Sequence, residues 1–345
     1  MTDYKISVVV PFYNAEDTLE LCLTALIKQN LKPEEIIVVD NNSNDRSKII
    51  VDEFINNSKD SKIVYLECKK KGPSAARNKG ASIAKGDWLI FTDSDCVPSP
   101  SWISDYKVHF HDETFGAVAG CIKPFLPTNP IQKTLSLFTL PENQQEIVHD
   151  NFTITEGLYP TANLAVKKKV FNRIGGFNEN LNYSEDREFC YKIYKAGFKI
   201  KALKNASVEH IHRKSLKGLI KQSFFFGTGH PYNLRYLSQG IVILHLPFFN
   251  LHKTLPGKYV WIDLIQADKK LFLLCLLGLF WWPFYILIFA YFLILCRFIH
   301  KKASEKKIKT TFSELPSIAF FLILKSFFLT CGRISLSFKH RVICV

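Results

Sequence analysis

The sequence has no Cys-x-x-Cys pair, no internal repeat and no low-complexity segment. These absences exclude a zinc ribbon, a solenoid and a disordered tether in turn. Nine cysteines are present, but they are scattered and odd in number, which fits a reducing compartment and not a disulfide framework. No secretory leader is expected, because Tyr4-Lys5 leads directly into the apolar run Ile6–Val10. Acid is scarce in one region. After residue 210 there are only 4 of the 31 Asp/Glu, against 19 of the 45 Lys/Arg. The net charge of +14 therefore resides in residues 211–345, and residues 1–210 are close to neutral.

The basic part is also the most apolar. Residues 271–296 form a run of 26 without a charge, and 317–334 are apolar apart from Lys325 and Arg333. Bases flanking long apolar runs point to an anionic membrane surface. No nucleic-acid partner is expected, since such proteins gather their bases on a folded face.

The first hundred residues alternate strand and helix patterns. Ile6–Val10, Ile36–Val39, Lys62–Leu66 and Trp88–Phe91 read as strands, and Thr18–Gln29, Ser47–Asn56 and Pro73–Ala84 as helices. Strands this apolar are covered on both faces, so the fold class is α/β: a mixed, mainly parallel sheet flanked by helices. Beyond Pro98, Gly116–Ile122 is a strand, and 124–155 is loop with a short helix around Leu135. A helix from Glu185 to Lys195 and strands at Phe198–Ala202 and Ala206–His210 complete the domain.

Open parallel sheets bind ligands at the carboxyl ends of their strands. Three polar clusters lie at such ends: Pro11-Phe12-Tyr13-Asn14, Asp40-Asn41-Asn42 and Asp93-Ser94-Asp95. Phe12 or Tyr13 suits a nucleotide base, and Asp40 or Asn41 its edge or the ribose. Asp93 suits a ribose hydroxyl. Asp95 suits a hard cation, Mg2+ or Mn2+, which takes one or two protein carboxylates and completes its shell with substrate phosphate. The bland reading of the acidic pair is a solvated turn.

In order along the chain, Val8–Asn14, Val38–Ser43, Ala76-Arg77-Asn78-Lys79-Gly80, Gly86–Asp95, Thr161-Ala162-Asn163, Ile174–Phe177 and Ser184-Glu185-Asp186 resemble a family 2 glycosyltransferase of GT-A fold. The resemblance covers roughly residues 5–215. It implies an inverting, metal-dependent transfer of sugar from a nucleotide-diphosphate donor, UDP- or dTDP-linked. It implies Asp40 and Asn41 at the base, Asp93 at ribose or metal, and Asp95 at the metal. Asp186, with Glu185 beside it, is then the base that takes the acceptor's proton, a role that inversion chemistry requires of some carboxylate. His210 is either a further metal ligand, a diphosphate contact or a packing residue. Arg77 is either a helix residue or a phosphate contact. Processive relatives carry Gln-x-x-Arg-Trp, whereas Gln222–Phe226 lacks the Arg-Trp, so single-sugar transfer is expected. A nucleotidylyltransferase would need a Gly-rich, Arg-containing loop after the first strand. A decayed, non-catalytic membrane scaffold would not need all of Asp93, Asp95 and Asp186.

The expected organisation is a catalytic domain over 1–215, an amphipathic interfacial connection over 216–265 and membrane-associated helices over 266–345. Residues 271–296 are either one span or a re-entrant hairpin broken at Trp281-Trp282-Pro283, and 317–334 make a second hydrophobic helix. The lysines on both flanks of 271–296 favour a catalytic domain on the cytosolic side of the cytoplasmic membrane. The acceptor is then a lipid-linked or glycan substrate held at that membrane.

Overall fold

Residues Ile6–Phe12 are buried without exception, as are Glu35–Asp40 and Trp88–Thr92. Segments this apolar are stable only as central strands, and they nucleate the larger of two units. The computed structural model describes residues 4–345 apart from 59, 141–144, 155, 182, 247–248 and 281–283. The first unit comprises Met1–Phe125 with Pro141–Ile211, and the second comprises Leu126–Leu140 with His212–Val345.

Along the chain the elements are β1 (Ile6–Phe12), α1 (Leu19–Ile27), β2 (Glu35–Asp40), α2 (Ser47–Asn57), β3 (Ile63–Glu67), α3 (Pro73–Ile83) and β4 (Trp88–Thr92). They continue with β5 (Cys96–Pro98), α4 (Trp102–Lys107), β6 (Phe115–Ala119), β7 (Ile122–Pro124) and α5 (Pro130–Phe138). Next come β8 (Ile147–His149), β9 (Asn163–Lys167), α6 (Lys168–Arg173), α7 (Glu185–Lys195), β10 (Lys199–Ala202) and β11 (Val208–His210).

In the first unit the main sheet runs β3-β2-β1-β4-β9-β6-β10-β8. The pairs β2/β3, β1/β2, β1/β4 and β6/β10 are parallel, while β9 lies antiparallel to both β4 and β6. Parallel pairing brings the carboxyl ends of β1, β2 and β4 to one edge. A second sheet, β5-β11-β7, sets Cys96 opposite His210. Aromatic packing fixes the layers, with Trp88 stacked on Phe110 at 3.9 Å and Phe177 on Phe189 at 4.1 Å.

Strand β9 escapes the sequence pattern, because three lysines, Lys167–Lys169, end it and obscure its apolar face. Its first residue, Asn163, is buried and fully used. Its Oδ1 accepts from Trp102 Nε1 at 2.8 Å and Tyr106 OH at 2.7 Å. Its Nδ2 donates to the Cys121 and Ala206 carbonyls, each at 2.8 Å. A buried amide completed in this way ties β9 to α4 and to the chain on either side.

The second unit holds α5, α8 (Leu216–Tyr232), a π turn (Asn233–Leu237), β12 (Ile241–Leu246), β13 (Phe249–Thr254), β14 (Tyr259–Asp263), α9 (Ala267–Phe280), α10 (Phe284–Glu305), α11 (Leu315–His340) and β15 (Ile343–Cys344). Residues 216–265, expected as an amphipathic connection, thus contain a helix and three strands of a sheet ordered β13-β12-β14-β15. The apolar run at 241–251 reads as chain in the headgroup layer or as a buried core helix, and its described residues lie instead in the antiparallel strands β12 and β13. Gly227 of α8 and Gly332 of α11 bring the two helices into backbone contact: a Cβ on Gly332 would collide with the Phe224 carbonyl. Within this unit Arg333 is held by His230 Nδ1 at 2.9 Å, Asp263 Oδ2 at 3.7 Å and the face of Trp261 at 4.9 Å.

Residues 271–296 fall across α9 and α10, and the expected break at 281–283 lies outside the described residues. Phe272, Leu273 and Leu276 of α9 and Ile286, Leu287, Phe289, Leu293 and Ile294 of α10 are exposed. Among the described residues, one helix is long and apolar enough to cross a membrane, Phe312–His340 with its 3-10 lead-in. It extends beyond the 317–334 expected from sequence.

Candidate active site

Two turns form the nucleotide-facing edge. After β1 and β2 the chain reverses through Asn14 and Asn42, at φ of 47° and 69°, a region that asparagine tolerates better than most residues. Side chains then lace the two turns together. Asn14 N donates to Ser43 Oγ at 3.0 Å, Asn44 N to Asn14 Oδ1 at 2.9 Å, Ala15 N to Ser47 Oγ at 2.8 Å and Glu16 N to Asp45 Oδ2 at 3.1 Å. Asp40 is 7 % exposed and accepts from Ser43 N at 2.8 Å and Tyr65 OH at 3.2 Å. Pro11 and Phe12 are buried beneath this edge, and Tyr13 stands 61 % exposed above it. Of the two aromatics offered to a base, only Tyr13 is free to meet one.

Asn41 is placed differently from its expected role. Its Nδ2 donates to the carbonyls of Cys68 and Lys70 at 3.1 and 2.7 Å, and its Oδ1 accepts from Gly72 N at 2.7 Å. The amide holds the β3–α3 loop against the end of β2. Beside it, a cleft of about 650 Å³ is lined by Tyr65, Leu66, Glu67, Cys68, Lys69, Lys70 and Lys79. None of Asp93, Asp95 or Asp186 is in that lining, so it borders the Asp40 end alone.

Arg77 joins two parts of the site. Its side chain is 4 % exposed, with NH2 2.8 Å from Asp93 Oδ1 and NH1 3.1 Å from Glu185 Oε1. Phe177 packs its ring 5.6 Å from the guanidinium carbon. Burial opposes the charge on Arg77, but Asp93 and Glu185 outweigh it and hold the guanidinium above its ordinary value. Arg77, expected as a helix residue or a phosphate contact, thus has each terminal nitrogen on a carboxylate. From sequence its position in Ala76-Arg77-Asn78 gave no hint of the partner 108 residues away.

Helix α7 begins where predicted and delivers Glu185 and Asp186 in its first turn. Ser184 enters it at φ 67°, a left-handed conformation that turns the chain into the helix. Both residues are half-buried. Burial, then the neighbouring Asp186, raises Glu185, while Arg77 pulls the other way. Burial raises Asp186 as well, partly offset by Arg187, whose backbone N donates to it at 2.8 Å. Of the pair, Glu185 bonds Arg77 directly, and the charge of Arg77 also opposes the rise of Asp186.

At the other end, Asp95, Cys96 and His210 bring donor atoms within 4.8 Å of one another. His210 Nε2 is 3.5 Å from Asp95 Oδ1. Asp93, expected at ribose or metal, is outside that group, and one of its oxygens faces Arg77. Sequence reading named Asp95 and His210 as metal ligands but passed over Cys96. Cys96 opens β5 directly after Asp95, and its pairing with His210 across the β5/β11 ladder has no counterpart in local spacing.

Residues 7–177 match the family described as Glycosyl transferase family 2. A pre-mycofactocin glycosyltransferase of Mycobacterium tuberculosis is 28% identical over 235 residues, covering 67% of this chain and 48% of that protein. An O-antigen chain rhamnosyltransferase of Salmonella anatum is 26% identical over 237 residues, covering 66% and 73%. The chain thus spans about half the length of the mycobacterial relative. In structure, a mannosyltransferase of Pyrobaculum calidifontis, solved with GDP-Man and Mn2+, aligns over 94% of this chain and 87% of its own at 17% identity and a TM-score of 0.55. The strand-end clusters, the sheet order and the family match agree, and the chain belongs to the family 2 glycosyltransferases, with the GT-A fold.

Proposed function

We propose that this chain is an inverting glycosyltransferase that takes a sugar from a UDP- or dTDP-sugar to an acceptor held at a membrane. The observation that carries the reading is the Arg77 bridge, which joins Asp93 on the donor side to Glu185 beside Asp186. Tyr13 and Asp40 meet the nucleoside, with Pro11, Asn14 and Asn41 shaping the edge that receives it. Asp93 presents its remaining oxygen to the ribose.

Asp95 and His210 are the residues that hold Mg2+ or Mn2+, whose charge offsets that of the departing diphosphate when bound. The donor set of carboxylate and imidazole fits such an ion, and relatives of this fold include one solved with Mn2+. Asp186 accepts the acceptor hydroxyl's proton as that oxygen bonds to the anomeric carbon. The bond from that carbon to the diphosphate breaks, and the nucleoside diphosphate leaves with the electron pair. A carboxyl raised above its ordinary value by burial, as Asp186 is, is a stronger base than an exposed one. Glu185, held by Arg77, keeps the first turn of α7 in register with the donor.

The acceptor is a cell-surface glycan or lipid-linked oligosaccharide, extended by one sugar on the cytosolic face. Relatives named for O-antigen and poly(ribitol-phosphate) support that class. The apolar helix Phe312–His340 and the exposed apolar faces of α9 and α10 support the membrane. The test is Asp186→Asn assayed with a panel of nucleotide sugars. Transfer should be lost while donor binding, read by thermal shift, is kept; unchanged transfer would remove the assignment.

A further inference from the structure

We propose that Asp95, Cys96 and His210 form a three-ligand site for a zinc-class divalent cation, in which the Cys96 thiol selects the metal. The inference rests on reading this end of the site as its metal end, and it adds a sulfur donor to it. Cys96 and His210 are directly opposed in the antiparallel β5/β11 pair, and opposed residues project to the same face. The Ile211 N–H donates to the Asp95 carbonyl at 2.8 Å, which fixes the chain that carries the carboxylate against the end of β11.

The spacing of the donors is that of a small, low-coordinate ion. His210 Nε2 lies 3.5 Å from Asp95 Oδ1, and Cys96 Sγ lies 3.9 Å from the same oxygen. In a tetrahedral zinc site the usual bond lengths place nitrogen and oxygen about 3.4 Å apart, and sulfur and oxygen about 3.6 Å apart. Both distances to the Asp95 oxygen therefore need to close by only a few tenths of an ångström, and the sulfur-to-imidazole distance lies within 4.8 Å. As the metal–sulfur bond forms, Cys96 gives its thiol proton to solvent. The fourth position is left for water or a donor phosphate oxygen.

Hard and soft ions then use the site differently. Magnesium and manganese prefer oxygen and take up thiol poorly. The other carboxylate of the strand-end pair, Asp93, has an oxygen on Arg77. A hard ion thus depends on the diphosphate of the donor to complete its shell. A zinc-class ion finds three protein ligands and binds without nucleotide, where it competes with the ion that serves transfer.

Titration of the full chain with Cd2+, in the presence and absence of UDP, tests the proposal. The readouts are the near-ultraviolet sulfur-to-cadmium charge-transfer band and the thermal midpoint. One equivalent should develop the band without nucleotide, whereas Mn2+ should stabilise the protein only together with UDP. Cys96→Ser should abolish the band and weaken cadmium binding at least about tenfold, and His210→Ala should weaken binding by a similar factor while keeping the band. No band in the wild type overturns the proposal, as does a band unchanged in Cys96→Ser. If Cys96→Ser fails to fold, an affinity unchanged in His210→Ala assigns the band to another cysteine and overturns it equally. Failure of UDP with Mn2+ to stabilise the wild type counts against the transferase reading alone; a missing thiolate band counts against the Cys96 ligand alone.

Discussion

Replacing Arg77 by methionine removes the cation that, among the described residues, pairs with both Asp93 and Glu185. The side chain is 4 % exposed, and its two hydrogen bonds to carboxylates measure 2.8 and 3.1 Å. Hydrogen bonds to charged groups contribute roughly 1.5–3 kcal/mol each, and stripping a buried charge of its partner costs about 3–5 kcal/mol. Proton uptake by Glu185 limits the damage, so the expected loss at pH 7.5 is about 3 kcal/mol, or about 6–12 °C in the unfolding midpoint. The sign of the pH dependence follows from the direction of the Glu185 shift. Its folded carboxyl lies above the ordinary value of 4.5. The native state therefore binds more protons than the unfolded chain, and stability falls as pH rises through that window. Arg77 lowers Glu185, so its removal steepens the fall, with Asp186 adding repulsion from the same turn. Differential scanning fluorimetry of wild type and Arg77→Met from pH 5 to 8 measures this. The deficit should be smaller at pH 5, where the bond to Asp93 is the main loss, and should grow as pH rises through about 7, where Glu185 ionises more readily with Arg77 present. A deficit that is the same at both ends, or smaller than about 1 kcal/mol, would refute the claim that Arg77 neutralises this cluster.

Three further outcomes follow from the geometry. Asp186→Asn should lower the transfer rate by about 10²–10⁴-fold, the usual share of a general base, with the donor's thermal shift retained. Asn163→Ala takes the side-chain partner from the Trp102 indole and the Ala206 carbonyl, while the Tyr106 hydroxyl keeps the backbone carbonyl of residue 163 and the Cys121 carbonyl keeps Val208 N, and should cost about 2 kcal/mol in denaturant unfolding; a loss below about 1 kcal/mol would show that the network is dispensable. Gly332→Val forces α11 away from the Phe224 carbonyl of α8 and should destabilise the second unit by several degrees in the same fluorimetric assay, whereas Gly257→Ala, in a turn with open space around it, should shift the midpoint by less.

The helix from Glu185 to Lys195 was legible in sequence because charge, apolar spacing and a glycine stop coincide there. The strands β1, β2 and β4 were legible because nothing but a buried strand accommodates such runs. What sequence could not show was pairing. Arg77 reads as one more polar residue on an alanine-rich helix until the fold sets Glu185 beside it. Asn41 reads as a base contact until the β3–α3 loop occupies its amide. Residues 241–251 suggest headgroup-layer chain or a core helix from their apolar character alone, and their strands become visible only through the hydrogen-bonded register of β12 with β13 and β14. Cys96 was passed over for a related reason. Its relation to His210 is a cross-strand one, invisible to any local spacing.

The lacing of the turns after β1 and β2 has a consequence for redesign. Asn14, Glu16, Ser43, Asp45 and Ser47 hold each other's backbones, so neither turn keeps its shape when its neighbour is exchanged. The two turns form a cassette. Grafting both from a relative that uses another nucleotide should carry base preference across intact, while a single-turn graft should yield a misshapen edge. The Arg77 bridge touches none of these five residues, so the cassette can be exchanged without reopening the part of the site that performs the transfer.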